Sequence, residues 1–427
     1  MSKFVTMGPK DRPPALMIVA AGPLQLPAFE EARLLGCRIV AVDGSANAPG
    51  MRLADRSYQI DIKQGEAIVA IGRTEEIAGV MSICTDFAVK TVAAVAEALG
   101  LPGLPREAAS KATDKRLMRR AFAASRVPSP QFAEVSGLES AIGAAGQFGY
   151  PVALKIPRSA GSRGVYRVAT PAELLERYAQ ARSLEPSQDL LVEQWLTGPE
   201  VSVEGCCVGP DPRIVQITDK LLFTGPNPVE AGHTQPSRLP ADVQEEIRRT
   251  TAAGVRALGL EDCGFHAELK VTTGGPRVIE IAARLGGDRI ATHLTPLSTG
   301  VNLVRAVIEL ALGRKPALEA SRKRGAAIRY FQVPVVGFLD RVNGLDALSK
   351  LPGIECLSLQ TEHGEALKPG LHINPVQSSL DRCGNLIFSG SDANEAAARA
   401  EAAIRSVSFT IQPDSRAAGP RSYCQPA

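Results

Sequence analysis

Lys155 stands inside an apolar run, in the stretch "ALKIPRSAGSRGV", just ahead of a loop built from Gly, Ser and Arg. An ammonium between Leu154 and Ile156 is costly unless an anion meets it, so its partner has to come from another segment or from a ligand. In the loop, Gly161 and Gly164 let backbone N–H groups approach an anion, while Ser159, Ser162 and Arg163 add donors. These pieces suit a polyphosphate. An edge-strand lysine reaching water beside a hairpin loop has the same local sequence, so other segments must discriminate.

Three segments bear on the choice. The stretch "FHAELKVTTGGPRVIEIAARLGGD" sets Glu268 on one strand and Glu280 on the next. Paired in register they face the same side, where two carboxylates repel unless a proton or cation lies between them. A hard ion such as Mg²⁺, bridging phosphate oxygens, satisfies them; two solvent-facing strand carboxylates would read alike. In "LLVEQWLTGPEVSVEG", Glu193 closes an apolar strand and Gln194, Trp195 and Leu196 follow. An adenine needs an apolar slot, backbone edge bonds and a carboxylate for the ribose hydroxyls, which these four residues with Glu200 match. Lys115, in "KATDKRLMRR", begins a helix where a second phosphate-directed cation can be presented, although alone it reads as a surface lysine.

The elements around these residues form three regions. Apolar strands over residues 16–20, 37–42 and 80–84 alternate with helices over 29–35 and 88–99, the pattern of a parallel sheet. The first turn reads "AGPLQL" and lacks the dinucleotide fingerprint, leaving Asp43 as a ribose ligand or a turn aspartate. From about residue 106 come a helix over 111–124, the lysine strand, and β-branched strands over 190–196, 201–208 and 214–217. The loop "TGPNPVEAGHTQPSRLP" then precedes a helix over 242–258 and a hairpin across Thr272–Gly275. A third region, 326–411, has short strands and an Ala-rich helix over 393–405.

Composition narrows the classes. The 427 residues are 44% hydrophobic and 22% charged, with net charge +3, which describes a globular chain of two to four domains and offers nothing to nucleic acid or a membrane surface. No run of about 18 apolar residues and no signal-peptide pattern occurs, so a cytoplasmic location is expected. Eight cysteines without a C-x-x-C pair argue against a zinc site or a disulfide framework; the adjacent Cys206 and Cys207 should face opposite sides of a strand as small core residues. No nucleophile setting for a hydrolase is visible.

Taken in order, Asp114-Lys115, Lys155 with the loop 159–165, Glu193-Gln194-Trp195-Leu196 with Glu200, and Glu268…Glu280-Ile281-Ala282-Ala283-Arg284 resemble the ATP-grasp superfamily. The "GHTQPSRLP" and "VIEIAARLGGDRI" stretches are most similar to its carboxylate–amine, or L-amino acid, ligase branch. The resemblance implies an α/β and α+β fold: an N-terminal doubly wound parallel-sheet domain (1–105), a central two-lobed ATP-grasp fold (106–318), a small C-terminal α+β domain (319–412) and a flexible tail (413–427).

It further implies a magnesium-dependent, ATP-binding ligase with small-molecule carboxylate and amine substrates, a homodimer being left open. Lys115, Lys155, Ser162, Gly164, Glu193, Gln194, Trp195, Leu196 and Glu200 would bind ATP, and Glu268 and Glu280 the metal. Arg284 with the Gly286-Gly287 turn would hold the carboxylate and acyl phosphate, since a guanidinium matches both; the alternative is a structural arginine paired with Glu268 or Glu280. Lys220, Glu230 and His233 lie in or beside the covering loop, where His233 contacts substrate or takes the amine's proton, or is a loop histidine without a role. Many members carry Asn two residues after the second glutamate; Ala282 stands there, so a second Mg²⁺ lacks that ligand. Rival readings are a biotin-carboxylase-like or purine-pathway enzyme using carboxyphosphate, of which a complete carboxylase is disfavoured by the lack of a biotinyl attachment sequence, and a nucleotide-binding regulator without turnover.

Overall fold

The computed structural model describes residues 13–159, 164–223 and 229–412 apart from 334, 349, 363 and 377, together with the backbone of 421–424. Near the N-terminus four short strands form a parallel sheet in the order Arg56–Gln59, Arg38–Asp43, Ala15–Val19, Gly79–Met81. Alternation sends Leu16 and Ile18 to one face and Met17 and Val19 to the other. Helices Gly65–Thr74 and Val89–Leu99 cover the second face through Ile68, Val95 and Ala96. Helix Leu26–Leu34 covers the first, with Phe29 in the core, and so does helix Leu303–Ala311, which arrives from the central region. This is a doubly wound sheet. The central region thus supplies part of its wrapping. Asp43 resolves as a turn aspartate, accepting from the N–H groups of Ala21 and Ser45, each at 2.8 Å.

The central region has two lobes. A small antiparallel sheet runs Phe132–Val135, Leu190–Gln194, Val152–Lys155, Val165–Val168, backed by helices Leu138–Phe148 and Pro171–Leu184. A larger sheet of eight antiparallel strands starts at Gly275–Ala282 and passes through Gly264–Thr272, Glu200–Val208, Asp211–Leu222 and Glu230–Gln235. It does not stop there. Strands Gly325–Tyr330, Cys383–Gly390 and Ile354–Thr361 extend it into the C-terminal region, across the boundary expected between residues 318 and 319. Without that extension Glu230–Gln235 would be an open edge with unpaired backbone groups. Helix Ala393–Arg405 packs on the added strands, and a further sheet, His372–Ile373, Gly337–Asn343, Ser408–Gln412 and Arg421–Cys424, completes the α+β unit.

Several expectations need correction. The stretch Glu230–Gln235, read above as covering loop, is a largely buried strand, because it gains pairing partners on both sides. The helix expected over 111–124 breaks at Thr113–Asp114 into Arg106–Ala112 and Lys115–Ala124, with Asp114 capping the second by accepting from the Arg116 N–H at 3.0 Å. Within the expected tail, Arg421–Cys424 pairs with Ser408–Gln412, and the rest of 413–427 lies outside the described residues. Cys206 and Cys207 do enter two different cores on opposite faces of their strand.

Candidate active site

Lys155 ends its strand only 6% exposed, and its partner comes from the neighbouring strand: Nζ lies 2.7 Å from Glu193 Oε2. Glu193 is buried and is also gripped by Arg119, Nε to Oε1 at 2.7 Å and Nη2 to Oε2 at 3.1 Å. Burial pushes its carboxyl up, but the two cations outweigh this and bring it down to about 2. Both oxygens of Glu193, expected above as part of a ribose contact, are engaged, and it serves as the buried counter-ion of Lys155 and Arg119. Arg119 escaped the sequence reading. Its one signal was its position four residues after Lys115, on the same helix face.

Lys115 is buried too, not at the surface. Its Nζ donates to the Ser159 carbonyl at 2.8 Å and lies 3.3 Å from Glu280 Oε2, so the helix start is fastened to the loop after Lys155. Of that loop, Ser162 lies outside the described residues. Gly164 has φ +65°, and a Cβ there would come within 3.0 Å of the Ile156 side chain, so only glycine fits this return.

On the large sheet Glu268 and Glu280 are cross-strand partners. The register slips by one residue beside them, and the carbonyl of Ile279 in the bulge accepts from Arg119 Nη2 at 2.6 Å. Lys220, buried on Asp211–Leu222, lies among three carboxylates: Glu200 at 2.7 Å, Glu268 at 3.1 Å and Glu230 at 3.5 Å. Its pKa is raised, because these anions outweigh burial, which lowers it. Glu200, which lines the same cavity, is held by Lys220 and by Lys270 at 3.0 Å.

Two further residues went unnoticed. His266 Nδ1 makes a very close contact with Glu204, while Nε2 lies 3.3 Å from Glu268 Oε1. Burial lowers the imidazole pKa, yet Glu204 and Glu268 together push it up to about 9. Glu204 also accepts from the Gly286 N–H at 3.1 Å, and a Cβ on Gly286 would strike both Glu204 and His266. The alternation of "VSVEG" and "FHAEL" placed both side chains on one face, but only the sheet register brings them together.

Arg284 follows the Glu280 strand and pairs with neither glutamate. It forms a two-bond fork to Asp86 of the N-terminal region, at 2.9 and 2.8 Å. His233 is 1% exposed on its strand rather than in a polar loop; Nε2 lies 2.9 Å from Asp288 Oδ2, and Nδ1 is enclosed without a hydrogen-bond partner. Nε2 is thus committed to Asp288, and among the described residues Nδ1 has no partner.

Apart from Arg119 and Glu204, the charged groups named above line one cavity of about 330 Å³. Gln194, Trp195 and Leu196 stand with Ala153, Val165 and Ile279 in its wall, and Arg167 sits 5.7 Å over the Trp195 ring. Arg284, Gly287 and Asp288 form part of its wall, whereas Gly164 and Gly286 support it from outside. Among the described residues no three His, Cys, Asp or Glu side chains form a metal cage. The Glu268–Glu280 pair still fits Mg²⁺, an ion that takes one or two carboxylates and completes its shell with water and phosphate oxygens. Among the described residues no helix is long and apolar enough to cross a membrane.

Three domain families match in chain order: the ATP-grasp N-terminal domain over residues 29–103, the ATP-grasp domain over 148–292, and the L-amino acid ligase C-terminal domain 2 over 329–412. The chain belongs to the ATP-grasp superfamily, whose members use ATP with Mg²⁺. Its features point to the carboxylate–amine ligase branch. Carnosine synthase 1 of Gallus gallus is 27% identical over 389 residues, covering 83% of this chain and 38% of that longer protein. The formate-dependent phosphoribosylglycinamide formyltransferase of Synechococcus sp. (strain RCC307) is 26% identical over 416 residues, covering 93% and 98%. The solved L-amino acid ligase from Bacillus licheniformis shares the fold with a TM-score of 0.81 at 24% identity, covering 94% of this chain and all of that one.

Proposed function

We propose that this protein is an ADP-forming ligase that joins a small-molecule carboxylate to an amine. One observation carries the reading: a single cavity holds two buried lysines, a facing carboxylate pair and an arginine fork. Bound ATP and Mg²⁺ would supply the phosphoryl group that activates the carboxylate as an acyl phosphate, which the amine then captures. Lys115 and Lys155 would hold phosphate oxygens, and Glu268 and Glu280 the metal, so that fixed charges meet the charge that develops. Gln194, Trp195 and Leu196 would receive the adenine. Arg284 and the Gly286-Gly287 turn would hold the carboxylate, Arg284 by turning part of its fork away from Asp86. Lys220 and Glu230 would flank the metal rather than cover the substrate.

The test is a screen of pooled amino acids and small carboxylic acids with ATP and Mg²⁺, read by ADP formation and product mass. ADP formation that rises with an amino acid, with a condensed product, supports the reading; none from any pool overturns it. A second reading rests on the near full-length match to a formate-dependent enzyme: formate is itself a carboxylate, and turnover with formate but no amino acid would favour it. Bicarbonate dependence would point to carboxyphosphate chemistry, and ATP binding without turnover to a regulator.

A further inference from the structure

The turn that follows Arg284 is anchored from a part of the chain that none of the ATP-binding residues belongs to. Asp288 lies in this turn with φ 53°, and Arg289 follows with φ 59°, left-handed conformations that are uncommon outside glycine and, two in a row with an arginine second, call for support. The support is Arg382, which is 2% exposed: Nη1 reaches Asp288 Oδ2 at 2.9 Å and Nη2 reaches Oδ1 at 2.6 Å. The same guanidinium stacks 3.8 Å over the Tyr330 ring, lies 3.1 Å from Glu362, and donates from Nε to the Ser379 carbonyl at 3.0 Å. Ser379 lines the cavity. One buried side chain of the C-terminal region therefore fixes two pieces of the cavity wall.

Asp288 has a second partner in His233. A carboxylate accepts and cannot donate, so Nε2 must carry the proton. Nδ1, enclosed and without a partner among the described residues, is then left as a bare acceptor; a proton there would charge the ring and be a buried donor with nothing to meet it. Burial pushes Asp288 up, and Arg382 with His233 brings it well below the ordinary range, in keeping with a permanent anion.

We propose that Asp288, clamped by Arg382, is a positioning residue: it sets the tautomer of His233 and holds the Gly286–Asp288 turn where the carboxylate and its acyl phosphate are bound. The second half of this statement rests on the ligase reading; the first does not. Neither residue needs to touch ATP. The clamp also gives the continuous sheet a purpose, since Arg329 on the adjoining strand donates to the His233 carbonyl at 3.1 Å and fastens the same histidine from its backbone.

Two measurements test it. In protein labelled with ¹⁵N-histidine, which holds five histidines, His233 is assigned by its loss in His233→Gln. It should show a protonated Nε2 and a bare Nδ1, and Asp288→Asn should change that pattern. A protonated Nδ1 in the wild type, or an unchanged tautomer in the variant, overturns the clamp even if no substrate is ever found. For turnover, Asp288→Asn and Arg382→Lys should each raise the KM of the stimulating amino acid about tenfold or more, with ATP affinity within about twofold, as expected for a displaced substrate cradle. Because both act through one contact, the double variant should be no worse than the worse single. Asp288→Asn/Arg382→Gln, which leaves neither charge of the pair unmatched, serves if a single variant fails to fold. Additive losses, or equal losses in ATP affinity, refute the positioning role. A wild type without amino-acid-stimulated ADP formation refutes the ligase reading instead.

Discussion

Glu268 and Glu280 face each other across the Gly264–Thr272 and Gly275–Ala282 strands, each with its own lysine: Lys220 at 3.1 Å from Glu268 and Lys115 at 3.3 Å from Glu280. The two carboxylates would otherwise repel, and without a metal the lysines neutralise them.

Glu280→Gln should therefore harm turnover more than binding. We expect kcat to fall by about 10²-fold or more while ATP affinity changes by less than about tenfold, because the carboxylate is needed most where phosphoryl charge develops. Turnover measured across a Mg²⁺ titration checks this. Wild-type activity in saturating Mg²⁺ would reduce Glu280 to a structural partner of Lys115.

The triad of Lys155, Glu193 and Arg119 gives an ordering of stabilities. Lys155→Ala removes one cation but leaves Glu193 forked to Arg119, so it should cost about 1–3 kcal/mol and weaken ATP binding as well. Glu193→Gln leaves two cations facing each other in the interior and should cost more, about 3–5 kcal/mol. Denaturant titration and ATP titration of both variants provide the check. An undiminished ATP affinity in Lys155→Ala would remove it from the nucleotide site.

What could be read in advance had a physical basis, and so did what was hidden. Lys155 was visible because a charge inside an apolar strand breaks the pattern; the facing glutamates were visible because a short hairpin sets register. Arg119 was not, since "RLMRR" offers several arginines and only the packing of the helix against two sheets chooses among them. The strand Glu230–Gln235 has little apolar alternation, and its formation depends on Gly325–Tyr330, far along the chain. Likewise Asp86 and Arg284 meet only when the first region folds against the second, so local sequence suggested nearer glutamates instead.

Stability should depend on pH at both ends. Glu193 is depressed to about 2 from an ordinary 4.5, so its contribution is fully present above about 4.5 and is lost as pH falls through the folded value. His266 is raised to about 9 from 6.5, so its contribution is complete below about 6.5 and fades as pH rises through 9. A plateau between roughly pH 4.5 and 6.5 is expected in denaturant midpoints of the metal-free protein. His266→Asn should flatten the alkaline arm while leaving the acid arm in place. An alkaline decline as steep in the variant as in the wild type would assign that arm to other groups.

Arg284 is asked to do two things, and Asp86 separates them. The fork to Asp86 ties the N-terminal region to the cavity, and both side chains are largely buried, so breaking it from either side should lower stability by a comparable amount, about 1–3 kcal/mol. Activity should not fall in parallel. Asp86→Asn keeps the guanidinium and frees it for a substrate carboxylate, so turnover should persist and the carboxylate KM should hold or fall. Arg284→Ala loses the anchor itself, and kcat/KM for the carboxylate should drop by about 10²-fold with ATP affinity little changed. Arg284→Lys should lie between them, since a point charge replaces a planar fork. Steady-state kinetics beside thermal melts of the three variants decide the matter. If Asp86→Asn and Arg284→Ala lose activity to the same degree, and only in proportion to lost stability, the arginine is an inter-region tie and the carboxylate is held by other groups.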